Sequence, residues 1–307
     1  RGLVGSEMCI RDSVYTWESS NDKIAWTVET SGPAESSLDL LTPLFDTTYY
    51  RRTVTDASVP IITDVSKILT IVVQPKIGQN QFTFDTIICF GQTPNPILPV
   101  FGTPSGGDGV YSYLWEESTD GITFTDAAGI NTNDIYQPPA LNTTTYYRRN
   151  VFSGKCQNIS DTVTVTVLPL IGNNTISADQ TICQGFTFTP LNGAAPTGGD
   201  GSYLYQWIES TDSSVWNNAF GTNANQNYSP DTTSATFPGK TYFSRVVYSG
   251  LANTCSDTSN VVTLIDWPEI SNNMISGDQQ ICEGDTPLPL VGTGPGGGNG
   301  SYLSLIH

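Results

Sequence analysis

Histidine is almost missing from this sequence: there is one in 307 residues, His307, at the very end of the chain. That removes the usual general base at neutral pH and the commonest zinc ligand. Basic residues are also few, 12 Lys and Arg against 29 Asp and Glu, for a net charge of −17. Such an acidic surface repels nucleic-acid phosphates and anionic membranes, so neither is an expected partner. No apolar run approaches the roughly 20 residues that a membrane-spanning helix needs. There is no Cys-x-x-Cys pair, no Gly-x-Ser-x-Gly elbow and no phosphate-cradling glycine loop between a strand and a helix. No stretch has the spaced Asp/Asn ligands and distal Glu of an EF-hand, although Asp-rich loops leave calcium open as a cofactor. The expectation is a chain with no catalytic residues and no enzymatic role.

What the sequence does contain is repetition. Gly199-Asp200-Gly201-Ser202-Tyr203 leads through Trp207 to Glu209-Ser210-Thr211-Asp212, with Trp216 nine residues past Trp207. A near copy runs from Gly107-Asp108-Gly109 through Tyr113, Trp115, Glu117, Ser118 and Asp120 to Phe124. A third copy has Tyr15, Trp17, Glu18 and Ser19, with Trp26 nine residues beyond Trp17. A fourth begins at Gly298-Asn299-Gly300-Ser301-Tyr302. The spacing from Cys89 to Cys183 is 94 residues, and from Cys183 to Cys282 it is 99. A period of that size marks a tandem array of small modules.

The two ends do not belong to the pattern. Met8 to Ser13 is what ATGTGTATAAGAGACAG plus one base encodes, and Leu303 to His307 is what CTGTCTCTTATACAC encodes. The second string is the reverse complement of part of the first, and both resemble a transposase sequencing adapter. Residues 1–13 and 303–307 are therefore expected to be adapter-derived and non-native, which takes His307 and Cys9 out of the inventory. The remaining chain divides into 14–75, 76–169, 170–268 and 269–302. The first of these repeats is expected to lack its start and the last its end. Pro75, Pro169 and Pro268 fall just after the closing strand of each repeat.

Within each period the residues read as strands. Thr162-Val163-Thr164-Val165-Thr166-Val167 alternates with period two, the mark of a strand with one buried face. Asp, Asn, Gly and Pro clusters supply turn chemistry between such runs. About seven short strands in roughly 95 residues, with an early Trp and a late Tyr-rich strand, is the β-sandwich pattern. The fold class is all-β, as tandem Ig-like or PKD-like β-sandwich repeats.

Three sets of recurring residues invite a role. Trp17, Trp115 and Trp207 are expected in the cores, where each buried ring contributes about 2–3 kcal/mol. Trp26, Phe124 and Trp216 lie past a turn, so partial exposure leaves them as candidate glycan-stacking platforms. Arg52, Arg149 and Arg245 share the pleat face of Val54, Val151 and Val247. They either capture an anion or make a cross-strand ion pair with an acid such as Glu117 or Glu209, and the structural reading is favoured. Trp267, beside Pro268, is an interface feature or an incidental one.

Five cysteines remain: Cys89, Cys156, Cys183, Cys255 and Cys282. Pairing within repeats gives Cys89–Cys156 and Cys183–Cys255. Pairing across boundaries gives Cys156–Cys183 and Cys255–Cys282 and orphans Cys89. The within-repeat scheme accounts for the count better, though the sequence alone does not prove connectivity. Each such bridge closes a loop of about 70 residues and stabilises by about 4 kcal/mol in the chain-entropy model. Disulfides imply an oxidising, extracytoplasmic location, extracellular or at the cell surface.

Gln180 to Gly185, Gly198 to Trp207, Glu209 to Asp212, Thr143 to Cys156 and Ser160 to Pro169 together resemble the Ig-like and PKD-like repeats of very large surface proteins of gliding, Bacteroidetes-type bacteria. The resemblance covers residues 14–302. It implies a β-sandwich module, type IX export with a distant C-terminal sorting domain, and use as a stalk or adhesin. The family supplies no catalytic residues to carry over. Repeat one departs from it in lacking the second Cys, and repeat three in having Ser244 where the others have Arg51 and Arg148. The expected function is a non-catalytic structural or adhesive array acting as a spacer, in contact with neighbouring repeats and with extracellular glycans or surface proteins. The rival is a carbohydrate-binding module of a secreted polysaccharide-degrading protein.

Overall fold

A computed structural model describes residues 13–56, 61–82, 85–234, 236–237 and 239–302. The terminal stretches expected to be non-native, with Cys9 and His307, lie outside these except for Ser13. Among the described residues there are strands, turns and one short 3-10 turn, Leu251–Asn253. Repeat one contributes β1 (Val14–Ser20), β2 (Thr27–Gly32), β3 (Thr48–Asp56), β4 (Ile62–Val65) and β5 (Leu69–Ile71). Repeat two contributes β6 (Thr86–Cys89), β7 (Ser112–Ser118), β8 (Thr125–Asp126), β9 (Thr145–Ser153), β10 (Cys156–Ile159) and β11 (Val163–Leu168). Repeat three contributes β12 (Gln180–Cys183), β13 (Leu204–Ser210), β14 (Asn217–Asn218), β15 (Gly239–Ser249), β16 (Cys255–Thr258) and β17 (Val262–Trp267). The fourth repeat adds β18 (Ile275–Ser276) and β19 (Val291–Gly292). These are tandem Ig-like sandwich repeats in an all-β chain.

The chain forms two compact units. One holds residues up to 84 with 96–137 and 146–163, and the other holds 85–95, 138–145 and 164 onward. In the second unit repeat three is complete, and its sheet runs β12-β17-β15-β13-β14 with β16 paired to β15. The opening strand β12 pairs parallel with the closing strand β17, so Cys183 stands beside Trp267. In the same unit β6 pairs parallel with β11 and sets Cys89 beside Leu168. Alternation does what the pattern requires: Val163, Val165 and Val167 are buried while Thr164 and Thr166 between them are not. The opposing layer of repeat three is held by single bridges, Gly172 to Thr197, Ile176 to Gly193 and Leu191 to Tyr228. Its stretches carry Pro190 and Pro196 among glycines and asparagines, and proline cannot donate to a ladder. The expected seven regular strands are therefore six strands and a bridged face.

The core of that unit is aromatic. Trp207 is fully buried and stacks on Tyr228 with ring centres 5.4 Å apart. Tyr228 meets Phe243 at 5.6 Å, and Leu191, Val262 and Leu264 close the cluster. The first unit repeats the plan, with Trp115 between Phe82 at 4.8 Å and Tyr136 at 5.5 Å. Each tryptophan donates its indole N–H to a carbonyl eighteen residues on: Trp17 to Glu35, Trp115 to Asn133, Trp207 to Asn225. Trp115 and Trp207 are thus the core residues the sequence predicts. Trp17 is only half-buried.

The boundary prolines have a use. The carbonyls of Pro75, Pro169 and Pro268 accept from the amides of Gly107, Gly199 and Gly298 at 2.8, 2.9 and 2.8 Å. Each therefore holds the glycine-rich turn of the repeat that follows it. Gly199 sits at φ 57° against Ser249, where a Cβ would collide with the hydroxyl that binds Asp200.

Candidate functional site

The recurring arginines split into two kinds. Arg149 and Arg245 are fully buried, and no carboxylate lies within salt-bridge distance of either among the described residues. The cross-strand pairing expected with Glu117 or Glu209 is therefore not what the structure shows. Arg245 donates instead to Asn174 Oδ1 from Nε at 3.0 Å and from Nη2 at 2.9 Å. It also donates to the carbonyls of Gln226 at 2.9 Å and Ala194 at 2.8 Å. Arg149 donates to Asn80 Oδ1 at 2.9 Å and to the Asp134 carbonyl at 2.6 Å. Its guanidinium lies 4.7 Å from the Phe82 ring centre and 4.9 Å from that of Tyr113. A guanidinium is weakly hydrated and stacks on ring faces, so it tolerates a site built of amides, carbonyls and π-clouds. Burial lowers the pKa of both arginines from the ordinary value, with the nearby tyrosines opposing that.

Asn80 and Asn174 are the partners that sequence reasoning did not single out. Asn174 turns its own amide to the Arg245 carbonyl and to Asp257, so one side chain ties backbone groups of β15 and β16 together. Asn80 does the same toward Arg149 and Asn158. The available signal was the recurrence of Asn80, Asn174 and Asn273 in the opening of successive repeats.

The ion pairs belong to the preceding arginine. Arg51 meets Glu18 at 2.7 Å and Arg148 meets Glu116 at 2.7 Å, each pair opposite one another in the sheet. Both guanidiniums also cover one of the candidate stacking rings. Arg51 is 4.1 Å from the Trp26 ring centre, and Arg148 is 4.0 Å from that of Phe124. In repeat three the corresponding strand partners are Ile208 and Ser244. Ser244 is buried and bonded to Ser259. Trp216 is therefore half-buried with no cation or ring over it among the described residues.

The recurring Ser-x-Asp is a turn lock. Asp120 accepts the amides of Ile122 and Thr123 at 2.8 Å each and the hydroxyl of Ser118 at 2.7 Å. Asp22 and Asp212 accept the equivalent amides in their own repeats. These amide bonds hold the carboxylates below the usual range, Asp120 at about 2. Among the described residues no group of three His, Cys, Asp or Glu side chains could hold one metal ion.

The cysteines correct the expected connectivity. The structure joins Cys89 to Cys255, with Cα atoms 5.5 Å apart across a sequence separation of 166. Cys156 and Cys183 are free, so neither Cys89–Cys156 nor Cys183–Cys255 forms. The reason is geometric. Cys89 ends β6 beside Leu168, at the edge that the next repeat follows, whereas Cys156 starts β10 with its sulfur toward Gln74. Leu168, Ile171, Val247 and Cys255 form a second apolar cluster, with Cys89, Tyr203 and Tyr205 packed against it. The bond thus links the first cysteine of one repeat to the second cysteine of the next.

Fold and site together define an array of Ig-like β-sandwich repeats with a covalent tie across a repeat junction. The chain belongs to the family whose description reads "Domain of unknown function (DUF8696)", matched three times, over residues 3–75, 79–169 and 172–265. No curated protein matches the chain. Among solved structures it is similar to extracellular domains 3–5 of Drosophila OTK, at 11% identity and TM-score 0.38, over 86% of this chain and 88% of that one. It is also similar to the N-terminal four Ig domains of Dscam1 isoform 6.9, at 11% identity and TM-score 0.31, over 86% and 67%. The chicken CNTN1 FN1–FN3 domains match at 9% identity and TM-score 0.29, over 82% and 88%. At such scores none of these likenesses carries an argument about partners or activity.

Proposed function

We propose that the chain is a non-catalytic structural array of a bacterial cell-surface or secreted protein, acting as a spacer or adhesin stalk outside the cytoplasm. The observation that carries this reading is the Cys89–Cys255 bond across a repeat junction. A bond placed there shields the chain between its ends from extension and persists only in an oxidising compartment. The recurring side chains support the same reading, because the buried arginines, the turn-locking aspartates and the boundary prolines are all committed to the fold.

Single-molecule stretching of the full chain tests it. Reduction should add the 166-residue separation of the two cysteines to the releasable length, about 58 nm at ~3.5 Å per residue. Equal release from oxidised and reduced chains would remove the bond on which the reading stands.

A carbohydrate-binding module is the second reading, favoured by the half-buried ring of Trp216, over which no cation lies among the described residues, whereas Arg51 and Arg148 occupy the faces of Trp26 and Phe124. Calorimetric titration with soluble polysaccharides separates the two. Binding that falls at least tenfold in Trp216→Ala and is unchanged in Trp26→Ala supports glycan recognition. Absence of binding to every polymer counts against it.

A further inference from the structure

Between β17 and the start of the fourth repeat lies a cleft of about 570 Å³, lined by Cys183, Phe186, Trp267, Ile270 and Tyr302 among others. Its walls reproduce the junction already closed by Cys89 and Cys255. Cys183 stands beside Trp267 as Cys89 stands beside Leu168. Ile270 follows Pro268 as Ile171 follows Pro169. The Tyr302 hydroxyl donates to the Gly297 carbonyl at 2.6 Å, as Tyr203 donates to Gly198 at 2.7 Å. The amide of Gln184 bonds the Trp267 carbonyl as that of Phe90 bonds Leu168. Only the third wall differs. At the closed junction it is the β15–β16 hairpin, which brings Val247 and Cys255 onto the cluster. At the second position no such hairpin is present among the described residues, and Cys183 is exposed and unbonded.

We infer that this cleft is the receiving half of an inter-repeat docking site. Its occupant is a β-hairpin of another repeat of the same family, carrying a cysteine at the position of Cys255, and Cys183 is the residue it bonds. The inference extends the stalk reading to a second junction and rests on that reading. Continuity with the closed junction selects this occupant: backbone register, turn hydrogen bonds and apolar lining are already in place. Bond formation needs an oxidant, and a small-molecule disulfide such as oxidised glutathione serves. The Cys183 thiolate attacks it, forming a mixed disulfide and releasing one glutathione thiolate. The hairpin thiolate then attacks the Cys183 sulfur and releases the second. Two thiols lose two electrons and two protons, and one oxidised glutathione becomes two reduced ones.

The test extends the full chain in place of residues 303–307, in one version with residues 204–268 and in another with residues 112–169. The first donor brings the hairpin of Cys255 and the second that of Cys156. Each is refolded in a glutathione buffer and mapped by non-reducing peptide analysis. The expected result is a Cys183 bond to the added cysteine in at least one version. With the added cysteine changed to Ser, docking alone should still slow maleimide labelling of Cys183 at least tenfold relative to the unextended chain. Labelling at the unextended rate in both versions overturns the inference. So does an added cysteine that pairs with Cys282, or a dimer of the unextended chain linked through Cys183. The stretching experiment on Cys89–Cys255 reads a different bond, so the two proposals fail separately.

Discussion

Repeats two and three keep one arginine and exchange the other. At the sheet position next to the core arginine, repeat two has Arg148 paired with Glu116 and laid over Phe124. Repeat three has Ser244 opposite Ile208, and no cation lies over Trp216 among the described residues. Acid and base have left together, which is what a half-exposed ion pair permits. Such a pair contributes about 0–1 kcal/mol, and removing both members strands no buried charge. One residue along, Arg149 and Arg245 face inward and both are retained. Removing either would leave amide and carbonyl acceptors buried without a donor. Exposure decides which arginine can be exchanged.

The sharpest way to break this comparison is to treat the two arginines alike. Arg245→Met removes the donor for Asn174 Oδ1 and for the carbonyls of Gln226 and Ala194. It should cost about 3–5 kcal/mol, with repeat three unfolding first, as read by hydrogen exchange on its own peptides. Arg148→Ser in repeat two should cost about 1 kcal/mol or less by urea titration. Equal costs would mean that the distinction drawn from burial is wrong. A smaller contrast is set by Glu209, buried with Oε2 lacking a hydrogen-bond partner. Burial raises its pKa. An acid whose folded pKa lies above its unfolded one gains stability as pH falls through the raised value. Mild acidification from neutrality should therefore strengthen repeat three, and Glu209→Gln should reduce that gain to the part owed to Asp266, whose pKa burial also raises. A flat or falling stability of repeat three over that window would overturn the assignment.

Most of the fold was legible because strand alternation and turn residues act locally. Thr-Val alternation located β11, and the tryptophan spacing located the two full cores. The site was less legible because its partners are far apart in sequence. Nothing near Arg245 points to Asn174, 71 residues away. The choice between Arg51 and Arg52 as the ion-pairing residue depends on which pleat face is inside; the face Arg149 shares with Val151 is the buried one, so the ion pair expected there falls on the neighbouring arginine instead. The disulfide was misassigned because counting cysteines per repeat assumes that each repeat closes on itself. Cys89 ends the opening strand of its repeat, and only the parallel register of that strand with the closing strand β11 sets it beside Leu168, where the next repeat begins and Cys255 is in reach.

The smallest expected effect tests the turn locks that repeats one to three share. Asp22, Asp120 and Asp212 each bind two backbone amides, and their pKa values are lowered by those bonds. The sign follows from linkage: a depressed carboxylate pKa contributes stability above the unfolded value, near 3.9, and loses it as pH falls through the folded one. For Asp120 that places the loss between about pH 4 and about pH 2. The amides of Ile122 and Thr123 should then exchange faster than the intrinsic pH dependence allows, while the Trp115 amide on β7 keeps its protection. Asp120→Asn should remove the acid-dependent step in repeat two and leave those of Asp22 and Asp212 in place. If Trp115 loses protection in parallel with Ile122, the aspartate is coupled to the core, and the view of the turn as a locally closed unit fails.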